Sequence, residues 1–305
     1  MKAQDKKMTF SFVEFFAAIL LAVFVSCATK PKVEDESQLV IEKGDASVIT
    51  LVETTTKTET TTYNFEGMQG NVQWISCSSV PAAKRTVLVF HGMDAGYDPA
   101  SFCKGWIGQV FASNGYNVLA INRPGYGLST GGNDLSGPKS IEAIQAGVNQ
   151  AKMPSIEGVW AYDTGTIAAA FYAKKTGSSL KWMLLGGGIY VLEVVNKTTI
   201  HLGLKKQIET LKSEERDLVF ERRSISWDFA GIPKLIGLYH AKGDQFAPLG
   251  QAESFNDQLR TAEYKVFKND IAEEGHAIPW RAHAKIVGQV LVQIAPEEQK
   301  TSKSP

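Results

Sequence analysis

The feature that most constrains the fold of this chain is a series of six short apolar segments, which alternate with stretches of helical periodicity. Continuous apolar strands separated by helices are typical of a mostly parallel, doubly wound sheet with helices on both faces. The pattern therefore predicts the α/β class. The apolar segments are Thr86–Phe90, Val118–Ile121, Gly158–Ala161, Trp182–Leu185, Leu235–Tyr239 and Tyr264–Phe267. The helical stretches lie near Ala100–Ser113, Lys139–Met153, Gly165–Lys175, Gln251–Arg260 and Ala282–Val292.

The part of the chain before these segments has a different pattern. Polar and apolar residues alternate in Thr61–Phe65 and again in Val72–Cys77, and the connection between them contains Gly67 and Gly70. Alternation on both sides of a glycine-containing connection predicts an antiparallel hairpin.

The composition excludes several classes of protein. The 305 residues include 32 basic and 32 acidic side chains, so no sequence-wide positive field exists and no nucleic-acid partner is expected. Hydrophobic residues make up 44% of the chain, which is too apolar for a disordered protein. Three cysteines are too few for a disulfide scaffold or a four-thiolate zinc site.

The N-terminal segment has the pattern of an export signal. Three lysines precede the apolar run Phe15–Val25, which is too short for an ordinary membrane span but is typical of a secretory signal. The run ends in Phe24–Cys27, which resembles the lipobox of bacterial lipoproteins. This resemblance implies that Cys27 carries lipid and anchors the protein to a membrane of the bacterial cell envelope. The alternative is a plain signal peptide, or an uncleaved anchor, with an incidental cysteine.

These patterns divide the chain into a signal peptide at 1–27, a polar tether and first strand region at 28–58, and an α/β domain at 59–295. A small cap insertion at 188–233 has room for helices near Tyr190–Val195 and Lys205–Leu218, and a polar, flexible tail is expected at 296–305. Cys77 and Cys103 form either a disulfide or two separate buried thiols.

Chemistry-bearing residues follow five of the predicted strands, and ligands bind beyond the carboxyl ends of strands in open α/β sheets. The order and spacing of these segments resemble the α/β-hydrolase superfamily, over residues from about 60 to 295. The resemblance implies an α/β-hydrolase fold and a small-molecule substrate. The five segments are His91-Gly92, Asn122–Gly127, Ala161–Gly165, Gly243–Pro248 and Glu274–His276.

Asp163 occupies the nucleophile position of this resemblance, on a tight turn between an apolar strand and a helix rich in small residues. Most members of the superfamily have serine there. Aspartate at this place is similar to haloalkane dehalogenases, fluoroacetate dehalogenases and epoxide hydrolases. The resemblance implies that Asp163 attacks a carbon atom, that His276 activates water, and that Asp244 orients His276.

The same resemblance implies the supporting residues. The backbone N–H groups of Met93 and Thr164 form the oxyanion hole, while His91, Gly92 and Gly165 have structural roles beside the site. No cofactor and no metal are expected, and the oligomeric state is not predicted. The dehalogenases and epoxide hydrolases usually have tryptophan or arginine in the place of Thr164. Their cap domains are also larger than the insertion at 188–233, which has 46 residues.

Alternative assignments exist for two of the roles. Ser129 lies in the literal G-x-S-x-G motif Gly127–Gly131, but a breaker-rich loop surrounds it rather than a strand and a helix. Glu193 is the alternative acid. The main functional hypothesis is a membrane-tethered hydrolase of a small or medium organic substrate. The alternatives are a non-catalytic envelope lipoprotein with this fold, or an esterase-like enzyme that uses Asp163 as a general base.

Overall fold

The computed structural model describes residues 51–301 except 94–95, 178, 226–227 and 272–274. The predicted signal peptide, Cys27 and most of the tether lie outside the described residues. Within the described part of the chain, no helix has the length and apolar character needed to cross a membrane.

Eight strands form one mixed sheet in the order β1-β2-β4-β3-β5-β6-β7-β8. The strands β3 to β8 run parallel to one another, and β2 pairs antiparallel with both β1 and β4. Five of the six predicted apolar segments lie within β3 to β7, and the sixth, Tyr264–Phe267, begins one residue before β8. The strands are β1 Thr54–Phe65, β2 Met68–Ser79, β3 Arg85–Phe90, β4 Asn117–Asn122, β5 Ser155–Tyr162, β6 Trp182–Gly186, β7 Leu235–Ala241 and β8 Lys265–Ile271.

Helices cover both faces of this sheet. A short 3₁₀ helix at Phe102–Lys104 precedes the first α-helix. The last helix continues to Thr301 and therefore runs into the segment that the composition predicts to be a flexible tail. The helices are α1 Trp106–Ser113, α2 Pro138–Ala151, α3 Gly165–Thr176, α4 Leu192–Thr198, α5 Leu202–Glu215, α6 Leu218–Glu221, α7 Leu249–Thr261 and α8 Trp280–Thr301.

The sheet is buried because helices pack on each side of its central strands. All residues of β4, β6 and β7 are buried. One apolar cluster lies between the sheet and α2, α3 and α7, and a second lies between the sheet and α1 and α8. Strands that are covered on both faces read as continuous apolar runs, which explains why their positions were predictable.

The β1–β2 hairpin joins the antiparallel edge of the sheet. Its register pairs Phe65 with Met68, and each strand has twelve residues, so the hairpin is longer than predicted. A disulfide connects Cys77 in β2 with Cys103 in the 3₁₀ helix, with a Cα–Cα distance of 5.4 Å. Of the two arrangements that the sequence allows, a disulfide or two separate thiols, the structure has the disulfide.

The segment between β6 and β7 forms an insertion over the carboxyl edge of the sheet. It contains α4, α5 and α6, where one or two helices were expected. A third apolar cluster joins the insertion to this edge, and it includes Met93, Ile167, Ile189, Leu204 and Phe246. The insertion therefore packs directly against the strand ends that carry the predicted site residues.

Candidate active site

Asp163 lies in a sharp turn between β5 and α3. Its φ angle is +54°, a value that residues other than glycine rarely adopt, and its backbone N–H donates to the carbonyl of Gly186 at 3.0 Å. A strained turn between a strand and a helix is the geometry of a nucleophile elbow. Asp163 is therefore placed where the superfamily presents its nucleophile.

Glycines keep the surroundings of this turn open. A Cβ atom on Gly165 would lie 2.6 Å from the carbonyl oxygen of His91, and one on Gly92 would lie 2.5 Å from Oδ2 of Asp163. Neither distance is tolerated by real Cβ atoms. Both positions therefore require glycine for the backbone of β3 and its loop to pass close to Asp163.

The two predicted oxyanion-hole donors both bind Asp163 itself. The N–H of Met93 donates to Oδ2 at 2.6 Å, and the N–H of Thr164 donates to Oδ1 at 2.5 Å. The N-terminus of α3 adds a favourable dipole for negative charge. The hole thus stabilises the Asp163 carboxylate, and its donors are not available to a substrate carbonyl while the side chain keeps this position.

His276 lies between the two predicted carboxylates. Its Nε2 is 3.8 Å from Oδ2 of Asp163, and its Nδ1 donates to Oδ2 of Asp244 at 2.8 Å. Because Nδ1 carries the proton toward Asp244, Nε2 is the nitrogen that faces Asp163 and any water bound there. The structure therefore brings the three predicted catalytic residues together in one chain of polar contacts.

Asp244 accepts from two backbone N–H groups and from His276, and His240 lies beside it. Oδ1 accepts from the N–H groups of Phe246 at 2.8 Å and Ala247 at 2.9 Å, while Oδ2 lies 3.2 Å from Nε2 of His240 as well as near His276. Burial raises the pKa of Asp244, but hydrogen bonds from His240 and His276 and the charge of His276 outweigh burial and hold that pKa well below its ordinary value. Asp244 is therefore a fixed, ionised partner for His276.

The charge of His276 follows from its two carboxylate neighbours. Burial alone would lower the pKa of His276, but the interactions with Asp163 and Asp244 are stronger and raise it to about 10. The ring of Phe246 stacks on the imidazole with centroids 4.2 Å apart, and the hydroxyl of Tyr162 donates to the His276 carbonyl. At neutral pH His276 is therefore an imidazolium between two anions.

Arg123 supports the loop behind the oxyanion hole. Its Nη2 donates to the carbonyls of His91 at 2.7 Å and Gly92 at 2.9 Å, and its side chain is buried. His91 is buried as well, and burial together with the Arg123 charge lowers the pKa of His91 well below its ordinary value. His91 is thus a neutral structural residue, and Arg123 fixes the loop that positions Met93.

Sequence reasoning missed two residues of this network. In the sequence, His240 lies outside the five recognised segments, which indicates no more than a surface or packing role. In the structure, its Nε2 contacts Asp244 from the end of β7. Arg123 belongs to a recognised segment, but no role was assigned to it. A signal existed for His240, since it lies at the end of a predicted apolar strand, four residues before Asp244.

The alternative candidates lie elsewhere or have other partners. Ser129 donates to the carbonyl of Asn122 and accepts from the N–H of Gln73, so its hydroxyl secures a loop. Glu193 is exposed and pairs with Lys197 at 2.6 Å, away from His276. Neither residue therefore contacts His276 in the described part of the chain. Among the described residues, no group of three or more His, Cys, Asp or Glu side chains is placed to hold a metal ion.

A groove of about 850 Å³ lies between the hairpin, the loop after β4 and the insertion. Met68, Lys139, Gln207 and Leu218 are among its lining residues. Asp163, Asp244 and His276 do not line this groove. This groove and the candidate catalytic residues are therefore separate features.

Comparisons with known proteins agree with this architecture. An acylaminoacyl peptidase from Pyrococcus horikoshii aligns at 15% identity with a TM-score of 0.58, over 79% of this chain and 41% of that one. An esterase from the fungus Rhizomucor miehei aligns at 15% identity with a TM-score of 0.60, over 91% of this chain and 97% of that one. The chain has the α/β-hydrolase fold.

A second fungal protein gives the same result for this α/β-hydrolase fold. Carboxyl esterase 2 from Tuber melanosporum aligns at 15% identity with a TM-score of 0.60, over 92% of this chain and 97% of that one. The chain thus matches nearly the whole of each esterase and about two fifths of the peptidase. The sequence itself matches no protein-family model and no curated protein.

Proposed function

We propose that this protein is a membrane-tethered hydrolase in which Asp163 is the nucleophile, His276 is the base and Asp244 orients His276. The observation that carries the proposal is the position of the Asp163 carboxylate, on a nucleophile elbow and 3.8 Å from an imidazole that a second carboxylate holds. The substrate is a small or medium organic molecule with an electrophilic carbon, such as a haloalkane or an epoxide.

The first step needs no base, because a carboxylate already carries the electron pair that forms the new bond. One oxygen of Asp163 bonds to the substrate carbon while the carbon–halogen or carbon–oxygen bond breaks. The other oxygen keeps its backbone N–H donor. Halide leaves as an anion, whereas the alkoxide of an opened epoxide takes the proton of the His276 imidazolium. The product is an alkyl ester of Asp163.

Alkylation also prepares the base for the second step. The Asp163 charge is one of the two that raise the pKa of His276, and the ester is neutral, so that pKa falls when the ester forms. His276 then loses its proton, to the alkoxide or to solvent, and its Nε2 becomes a proton acceptor. The base therefore becomes available only after the intermediate that needs it has formed.

Hydrolysis of the ester regenerates the site. His276 takes a proton from water while the oxygen of that water bonds to Cγ of Asp163, and the N–H groups of Met93 and Thr164 stabilise the developing oxyanion. Collapse breaks the bond between Cγ and the alkoxide oxygen, which takes the proton from His276 and leaves as an alcohol. The remaining carboxyl proton passes to His276, which restores the starting ion pair.

Simple ester hydrolysis fits this arrangement less well. A carboxylate that attacks an ester forms a mixed anhydride, which is a poorer intermediate than an acyl-serine. The hole donors are occupied by Asp163, so an ester carbonyl would have to displace the carboxylate to reach them. For the same reason we do not favour Asp163 as a general base in an esterase.

The proposed location rests on two features. The first is the lipobox-like segment at Phe24–Cys27, which supports a lipid anchor before the domain. The disulfide between Cys77 and Cys103 supports export, because disulfides persist in oxidising compartments and are rare in the cytosol. The protein is therefore proposed to act at a membrane of the bacterial cell envelope.

The test uses a variant that can form the alkyl ester but cannot hydrolyse it. The His276→Phe protein is incubated with a panel of haloalkanes, epoxides and activated esters, and its intact mass is measured. We expect a stable mass increase from one haloalkane or epoxide, located at Asp163 by peptide sequencing. The matched control is the double variant Asp163→Asn/His276→Phe, which should stay unmodified. No adduct with any compound, together with no turnover by the wild type, would favour the non-catalytic envelope protein instead.

A further inference from the structure

Two large apolar side chains are exposed at the start of α5. Ile200 is 65% exposed and Leu202 is 80% exposed, and Val194 in the same insertion is exposed as well. Single exposed apolar residues are common. Here two such residues flank His201, on an insertion next to a candidate active site. Adjacent exposed apolar side chains are less common and indicate an interaction surface.

The residue between these two side chains in the sequence contacts a ring that stacks on the candidate base. The N–H of Ile200 donates to the carbonyl of Gln245, which follows Asp244. The imidazole of His201, between Ile200 and Leu202, packs edge-on against Phe246 with centroids 4.9 Å apart, and Phe246 stacks on His276. The exposed pair is therefore connected to the segment that orients His276 through the ring of His201 and the backbone of Ile200.

Positive charge shares the same side of α5. Lys205 and Lys206 follow Leu202 at three and four residues, so the three side chains project from one face of the helix. Neither lysine has an ion-pair partner in the part of the chain that the structure describes. Exposed apolar side chains with adjacent lysines are typical of segments that lie in the interface of an anionic bilayer, where lysine stems extend to the phosphates.

We propose that Ile200 and Leu202, with Lys205 and Lys206, dock the domain on the surface of an anionic lipid bilayer. This inference rests on the proposed tether, because the bilayer is the one that holds the chain through Cys27. The 23 residues from 28 to 50 span at most about 80 Å, which is enough for the domain to turn this surface toward its own membrane. An apolar substrate dissolved in that membrane would then reach the site without crossing water.

The experiment places an environment-sensitive fluorophore on the full chain. Leu202→Cys and Val292→Cys are each labelled with a nitrobenzoxadiazole maleimide and mixed with vesicles of phosphatidylethanolamine and phosphatidylglycerol. Val292 is a matched control because it is 68% exposed but lies on α8. The wild-type chain, treated with the same reagent, measures the background. Flotation of the vesicles reports the tether separately.

The docking surface predicts a blue shift and a rise in emission at position 202 and neither at position 292. Replacing Lys205 and Lys206 by glutamate, or using phosphatidylcholine vesicles, should abolish most of the shift at position 202. Protein that floats with the vesicles while both positions give the emission of water would overturn the docking surface and leave the tether intact. Protein that does not float would overturn the tether and, with it, the basis of the docking surface.

Discussion

Asp163 has an unfavourable backbone conformation, which the groups that bind its carboxylate stabilise. A positive φ angle is unfavourable for a residue with a Cβ atom, and two backbone N–H groups and a nearby imidazolium compensate by binding its carboxylate. The same donors would bind an oxyanion of the substrate if residue 163 had a shorter side chain. The identity of this one residue therefore decides whether the hole holds the nucleophile or the substrate.

This dependence gives a prediction for the Asp163→Ser variant. Serine would leave the N–H groups of Met93 and Thr164 open, and loss of one carboxylate would lower the pKa of His276 from about 10, so that imidazole becomes neutral nearer pH 7. We expect hydrolysis of p-nitrophenyl acetate with an initial burst from acyl-enzyme. The rate should exceed that of Asp163→Ala by about a hundredfold, the contribution typical of a general base.

The Asp163→Ala protein is the control because it opens the same hole without supplying a nucleophile. Equal rates for the two variants would mean that His276 is not placed to activate a hydroxyl at position 163. That result would also weaken the proposed role of His276 toward water in the natural enzyme.

At the scale of elements, the close approach of α3 to β3 depends on Gly165. A Cβ atom there would meet the carbonyl oxygens of His91 at 2.6 Å and Phe90 at 2.7 Å, and both are backbone atoms that cannot rotate away. We expect Gly165→Ala to reduce the free energy of unfolding by about 1–3 kcal/mol, as overpacking does. Urea denaturation with a folded baseline in circular dichroism measures this change.

The control is Gly250→Ala in the first turn of α7. No atom lies within 4 Å of a Cβ atom there, so alanine should be neutral or slightly stabilising, since it has the higher helix propensity. If Gly165→Ala proves as harmless as Gly250→Ala, the elbow is looser than its distances indicate.

Elements buried on both sides were predictable, whereas exposed and short elements were not. The apolar runs predicted β3 to β7 because the residues of those runs are buried in the sheet, whereas β8 is an edge strand in which only Val266 is buried. The predicted hairpin began at Thr61, yet β1 starts at Thr54, because most of its Thr-rich first half is exposed and carries no apolar alternation. In the insertion, the helices expected near Tyr190–Val195 and Lys205–Leu218 overlap α4 and α5, whereas α6 has four residues and is too short to show a periodicity.

The candidate site was predictable only as far as strand ends define it. Asp163, Asp244 and His276 each follow a strand whose carboxyl end lies on one edge of the sheet, so their proximity follows from topology. The contact of His240 with Asp244 and the binding of Asp163 in its own oxyanion hole depend on side-chain rotamers and on backbone from several elements. No local pattern in the sequence encodes such contacts.

For the whole molecule, the buried ion pairs make stability depend on pH. The pKa of His276 is about 10 in the folded protein, above the 6.5 of a free imidazole, so its contribution is complete below about pH 6.5 and is lost as the pH rises toward 10. The lowered pKa of Asp244 has the opposite sign, and its contribution is lost as the pH falls below its ordinary range. The pairs therefore stabilise the fold most strongly in mildly acidic solution.

Comparison of the wild type with His276→Phe isolates the contribution of His276. We expect the difference between their free energies of unfolding, measured in urea, to be constant from about pH 5, above the ordinary range in which Asp244 binds its proton, up to about pH 6.5. Above that pH the difference should shift against the wild type, by at most about 1.4 kcal/mol per pH unit, because one proton is linked to folding. A difference that stays constant up to about pH 10 would mean that His276 binds its proton no more tightly in the folded chain than in the unfolded chain. The imidazolium between Asp163 and Asp244 would then not exist, and the proposed fall in the pKa of His276 on alkylation would lose its basis.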